Sequence, residues 1–161
     1  MKVLYITDLD GTLLNSKDSL SEYTIKTLNC LMDKGMCFSY ATARSLSSAE
    51  VVTRGLDMNN PVIIYYGTFI VNQNTKEKIY SLYFNDHEKE TVRDFLINNS
   101  IYPLVYGNIN GEEKVSWIET IENNGIINYK NTRKGDKRLR PVETLKELYE
   151  GELFLFYLYW G

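Results

Sequence analysis

Cysteine is scarce in this sequence. Only Cys30 and Cys37 occur. Their spacing fits no zinc or redox motif, and the expectation is two free, buried thiols in a reducing compartment. Long apolar runs are missing as well. The longest, Leu153 to Trp160, falls far short of the roughly 20 residues that a membrane-spanning helix needs. The N-terminus, Met1-Lys2-Val3-Leu4-Tyr5-Ile6-Thr7-Asp8, meets an acid too early for a secretory signal. A cytoplasmic location without membrane partners is therefore expected. Basic residues are not in excess: 18 Lys and Arg stand against 21 Asp and Glu, a net charge of −3. Nucleic-acid binding needs a basic face, so that class of partner is not expected. Internal repeats and low-complexity segments are lacking, and the single histidine, His87, reads as a surface residue.

What is present suffices for a core. The 161 residues are 43% hydrophobic and 24% charged, so burial can carry the fold without disulfides or a structural metal. Val3 to Thr7 is apolar and β-branched without alternation, as in a parallel strand buried on both faces. A helix follows, with Ser19 and Glu22 as its capping box and Ile25, Leu28, Leu31 and Met32 along one face, closed by Gly35. Met36 to Ala41 reads as a second buried strand. A second helix spans about Ser47 to Leu56, capped by Ser47 and Glu50. Val62 to Tyr66 is a third strand. The order β-α-β-α-β predicts a parallel α/β sheet.

Beyond this the pattern is mixed. Phe69–Val71 and Lys78–Phe84 suggest a hairpin. A helix is expected from Asn85 to about Asn99, with Val92, Phe95 and Leu96 inward. Strands are expected at Tyr102–Tyr106 and Lys114–Ile118 around a turn at Gly107–Gly111. A basic loop at Asn131–Pro141, a short helix at Val142–Tyr149 and a last strand at Glu152–Trp160 complete the chain. Domain limits of 1–82 and 83–161 follow, the second an α+β unit. An apolar final strand wants neighbours on both sides, so the chain looks cut short, and self-association through that strand is expected.

The chemistry is concentrated at Asp8-Leu9-Asp10-Gly11-Thr12-Leu13. Ligands bind at the carboxyl ends of strands in open α/β sheets, and both carboxylates stand at such an end. One can attack phosphorus and hold Mg²⁺, which favours hard oxygen ligands, while the other delivers a proton. Gly11 permits a sharp turn that brings backbone N–H groups to a phosphate.

This segment resembles motif I of the haloacid dehalogenase superfamily. Tyr40-Ala41-Thr42-Ala43-Arg44 is similar to motif II of its Cof-type branch, and Pro61 to Ile70 to that branch's third strand, which usually ends in Asn-Gly-Ala. The resemblance implies an incomplete Rossmann-like core (1–82) and an incomplete α/β cap (83–161). It implies a Mg²⁺-dependent phosphatase of small phosphorylated metabolites, sugar phosphates or similar. Asp8 would be the nucleophile and Asp10 the general acid and base. Mg²⁺ would be held by the Asp8 carboxylate and the Asp10 carbonyl. Leu9, Gly11, Thr42, Ala43 and Arg44 would line the phosphate and substrate. Three departures stand out: Ala43 replaces a glycine, Tyr66 replaces an asparagine, and neither the family's later lysine nor its acidic cluster is found, Gly135-Asp136 being a poor substitute. Weak or no activity is therefore expected of these residues alone. The alternatives are a phosphomutase and a non-catalytic protein that binds a ligand or partner. The basic stretch Arg133 to Arg140 reads as a solvated loop or an anion-attracting surface.

Overall fold

In the computed structural model, which describes residues 3–159, the chain divides into two compact units, Met1–Leu82 and Tyr83–Gly161. In the first, β1 (Leu4–Thr7) lies parallel to β2 (Cys37–Tyr40), with Leu4 opposite Cys37 and Thr7 opposite Tyr40. A parallel bridge from Ala41 to Ile63 joins β2 to β3 (Val62–Ile64). Between these strands run α1 (Glu22–Asp33) and α2 (Leu46–Val52). β4 (Phe69–Val71) and β5 (Lys78–Ser81) then fold back antiparallel. The α/β class with a parallel core is thus the observed one. Leu9, Phe38, Tyr40, Ala49, Val62, Ile64, Phe69 and Val71 form the interior.

The differences from expectation are local. Asn15 Oδ1 accepts from the Ser19 hydroxyl at 3.1 Å and from the Ser19 N–H at 3.3 Å. Ser19 is therefore committed to the preceding turn, and Ser21 caps α1 instead, accepting from Thr24 N–H at 3.0 Å. Likewise Ser45, not Ser47, caps α2, and Glu50 pairs with Lys76 rather than with the cap. β1 is not buried on both faces: Val3, Leu4, Tyr5 and Ile6 are each about half exposed, because among the described residues β1 pairs with β2 alone. Leu31 is exposed, as is Cys30, while Cys37 is half-buried. β3 ends at Ile64, and Tyr65 and Tyr66 turn out of the sheet.

The second unit opens with α3 (Asp86–Asn98), whose Asn85–Glu88 capping box satisfies two end groups. Leu96 is buried, Val92 half-buried and Phe95 exposed, a narrower apolar stripe than the spacing suggests. The sheet order is β8-β7-β6-β9, from β6 (Leu104–Ile109), β7 (Glu112–Ile118), β8 (Leu139–Val142) and β9 (Glu152–Tyr157). β6 and β7 run on to a tight turn at Asn110-Gly111 (φ 52° and 85°), the two-residue hairpin that Asn-Gly favours. The turn is thus shorter than Gly107–Gly111. α4 (Asn124–Asn131), capped by Asn123, was not expected, and α5 (Leu145–Leu148) is shorter than the helix foreseen. Val105, Ile118, Val142, Leu148 and Leu153 make the core, each worth about 1.5–3 kcal/mol when fully buried. Trp160 lies outside the described residues. The three arginines of the basic loop are each engaged. Arg138 pairs with Asp136 at 2.6 Å, Arg140 with Glu150 at 2.5 Å, and Arg133 lies 4.0 Å over the Tyr129 ring.

Gly151 precedes β9 with φ +86°, and a Cβ there would sit 2.5 Å from the Asn108 carbonyl oxygen. Gly151→Ala should therefore lower stability by about 2 kcal/mol or more. A shift of the urea midpoint, with unchanged slope, checks this.

Candidate active site

Three strand ends converge through the backbone. Ala41 N–H donates to Thr7 C=O at 2.8 Å, and Thr42 N–H to Ile63 C=O at 3.0 Å. Tyr66 N–H then donates to Thr42 C=O and Tyr65 N–H to Arg44 C=O, both at 3.1 Å. This places Asp8, the Thr42–Arg44 segment and the Tyr65–Gly67 turn at the carboxyl ends of parallel strands, where α/β sheets bind ligands.

Asp8 leaves β1 in extended conformation (φ −78°, ψ 161°). Its carboxylate is exposed and makes no ion pair among the described residues; Thr12 Oγ1 stands 3.5 Å from Oδ2. The loop after it closes through Leu14 N–H to Leu9 C=O at 2.9 Å, with Gly11 left-handed at φ +72°. Leu9 is 0% exposed. Its side chain anchors the loop in the core, so it can reach a ligand only through its main chain. Gly11 is exposed.

Asp10 is the opposite of Asp8. Arg44 grips it from two nitrogens: Nε at 2.9 Å from Oδ2 and Nη2 at 2.5 Å from Oδ1. Arg44 Nη1 is in turn 3.3 Å from Ser48 Oγ. The hydrogen bond from Arg44 holds the Asp10 carboxyl below its ordinary range against a smaller opposing effect of burial, and Asp10 raises Arg44. The pair with Arg44 thus favours the ionised form of Asp10. Thr42 is buried, and its hydroxyl oxygen accepts from Arg44 N–H at 3.2 Å. Ala43 is exposed and is not left-handed, so the absence of glycine costs no strain there.

Asp8, Asp10, Thr42, Ala43 and Arg44 are therefore brought to one end of the sheet. Ser48 escaped the sequence reading. Its only signal was its place in the first turn of α2, four residues after Arg44. Tyr66 is 67% exposed with φ 58°. Among the described residues, no three His, Cys, Asp or Glu side chains cluster as a metal site. No helix there is long and apolar enough to cross a membrane.

The profile of the haloacid dehalogenase-like hydrolases matches residues 5–152. The chain belongs to that family. A provisionally named phosphatase of Buchnera aphidicola subsp. Baizongia pistaciae is 33% identical over 114 residues, 68% of this chain and 41% of that protein. A Bacillus subtilis protein named 5-amino-6-(5-phospho-D-ribitylamino)uracil phosphatase is 31% identical over 67 residues, 42% of this chain and 25% of its own length. The chain thus spans less than half the length of these relatives. Among solved structures, a haloacid dehalogenase-like hydrolase from Bacteroides thetaiotaomicron is 18% identical with a TM-score of 0.68, covering 95% of this chain and 56% of that one. A sugar phosphatase of haloacid dehalogenase subclass IIB is 18% identical with a TM-score of 0.64, over the same shares. These likenesses show a shared fold.

Asp10 is paired only when ionised, so its titration should reveal Arg44. In carboxyl ¹³C NMR, Asp10 should titrate below the ordinary value of 3.8. In Arg44→Gln it should return towards that value. Stability follows the same sign. The pair's contribution, below about 1 kcal/mol for so exposed a pair, is present above the ordinary value and lost as pH falls through the depressed one.

Proposed function

We propose that this chain carries the N-terminal part of a Mg²⁺-dependent phosphatase that acts through an aspartyl-phosphate. The observation that supports this is the contrast between two carboxylates at one strand end: Asp8 exposed and without an ion pair among the described residues, Asp10 held by Arg44. Asp8 would attack phosphorus, the ester P–O bond would break, and the leaving oxygen would take its proton from Asp10 once Arg44 lets that group be protonated. Asp10, again a carboxylate, would then take a proton from the water that attacks phosphorus. The bond to Asp8 breaks and inorganic phosphate leaves. The buried Thr42 hydroxyl would hold a phosphoryl oxygen, and the loop after Asp8 would offer main-chain N–H groups.

The exposed Asp8 carboxylate and the Asp10 carbonyl are hard oxygen donors that fit Mg²⁺, which keeps several waters and needs few protein ligands. When bound, the ion would neutralise phosphate charge. Residues 1–82 would form part of the core and 83–161 part of the cap. Small phosphorylated metabolites are the proposed substrates, consistent with the names of the relatives, in a cytoplasmic setting. The apolar strand β9 at the sheet edge is the proposed route of any self-association. Since neither the family's later lysine nor its acidic cluster is found among these residues, turnover by residues 1–161 alone should be slow. The same observation favours a second reading, a ligand-binding protein without turnover.

The test is release of p-nitrophenol from its phosphate ester, with and without Mg²⁺. We expect slow, Mg²⁺-dependent release, reduced at least about a thousandfold in Asp8→Asn. Release indifferent to both Mg²⁺ and Asp8, or none at all from folded protein, would remove the phosphatase reading for these residues.

A further inference from the structure

The turn after β3 carries an unexplained cost. Tyr65 (φ 49°), Tyr66 (φ 58°) and Gly67 (φ 95°) are left-handed in succession. This region suits glycine or asparagine, and a bulky aromatic side chain there is a real outlier. Tyr65 recovers the cost by packing. It is 3% exposed and stands edge-on to Phe69, ring centres 5.8 Å apart. Tyr66 does not. Among the described residues its ring has no aromatic partner and its hydroxyl no hydrogen bond, and an apolar ring is left in solvent. The backbone cannot relax, because the N–H groups of Tyr65 and Tyr66 are tied to the carbonyls of Arg44 and Thr42, both at 3.1 Å. Strain kept at a site usually marks a constraint imposed by function. The backbone that carries this exposed ring is one hydrogen bond from that of Thr42, the proposed phosphate-binding residue.

Resting on the phosphatase reading above, we propose that Tyr66 is a substrate-contact residue that sets specificity. Its ring stacks on a planar ring carried next to the phosphate, so the preferred substrates are phosphomonoesters of aromatic or heterocyclic compounds rather than of small aliphatic alcohols. A stacked ring pair adds affinity on an order that mutation readily resolves. The contact affects substrate binding and leaves Asp8 and Asp10 untouched.

The experiment is calorimetric binding of phenylphosphonate and methylphosphonate, neither of which can be hydrolysed, to the full chain in MgCl₂. The ratio of the two affinities within one protein cancels any general loss of folding. Wild type should favour phenylphosphonate by about tenfold, Tyr66→Phe should keep that preference, and Tyr66→Asn should abolish it. Asparagine accepts the left-handed backbone, so that variant should fold at least as well as wild type. An equal preference in wild type and Tyr66→Asn overturns the stacking role while leaving the phosphate site intact. Failure of wild type to bind either ligand overturns the phosphate site itself, and this proposal with it.

Discussion

The site depends on the backbone hydrogen bonds at the end of β2. Buried N–H and C=O groups must be paired, and β2 has a strand on each side to satisfy. Ala41 reaches back to Thr7, and Thr42 reaches across to Ile63. These two bonds set the heights of three strand ends relative to one another. Asp8, Thr42 and the Tyr65–Gly67 turn are then neighbours as a matter of register. The loop after Asp8 is set by the same logic: Leu9 is drawn fully into the core, and Gly11 takes up the reversal.

Electrostatics then separates two chemically identical groups. Asp10 is gripped by a guanidinium that is itself held by Ser48, whereas Asp8 stays exposed and has no ion pair among the described residues. An ion pair so near solvent adds little to stability. Its effect is on geometry and protonation: it fixes where Asp10 lies and keeps it charged. The two carboxylates thus differ by environment, as like residues with divided roles commonly do. The second unit has its own core and pairs two arginines of its basic loop internally, Arg138 to Asp136 and Arg140 to Glu150. Those cations are therefore poorly placed to serve as a general anion-binding surface.

Much of this was legible in the residue order. Buried strands alternating with capped helices announced a parallel α/β unit, because periodicity and capping are local signals. The Asp8–Leu13 segment was legible because acids and a glycine at a strand end have few other uses. What failed was decided by competition between neighbours. Ser19 is as good a cap as Ser21, but Asn15 had claimed it. Glu50 could have closed a capping box, but Lys76 lay across from it. α4 was missed because Ile126, Ile127 and Tyr129 lie among asparagines, whose helix propensity is low, and its cap at Asn123 counts only once Tyr106 and Tyr129 meet.

By itself, then, the sequence determined the family, the order of helices and strands through β3, and which acids stand at the end of β1. These depend on neighbours within a few positions along the chain. Tertiary structure alone decided which side chains are buried, as the half-exposed β1 and the exposed Phe95 and Cys30 illustrate. It also decided that Arg44 takes Asp10 and leaves Asp8 exposed, and that Tyr66 is tied by its backbone to Thr42. Those outcomes join residues more than twenty positions apart, and only the closed strand register can bring such groups within hydrogen-bonding distance.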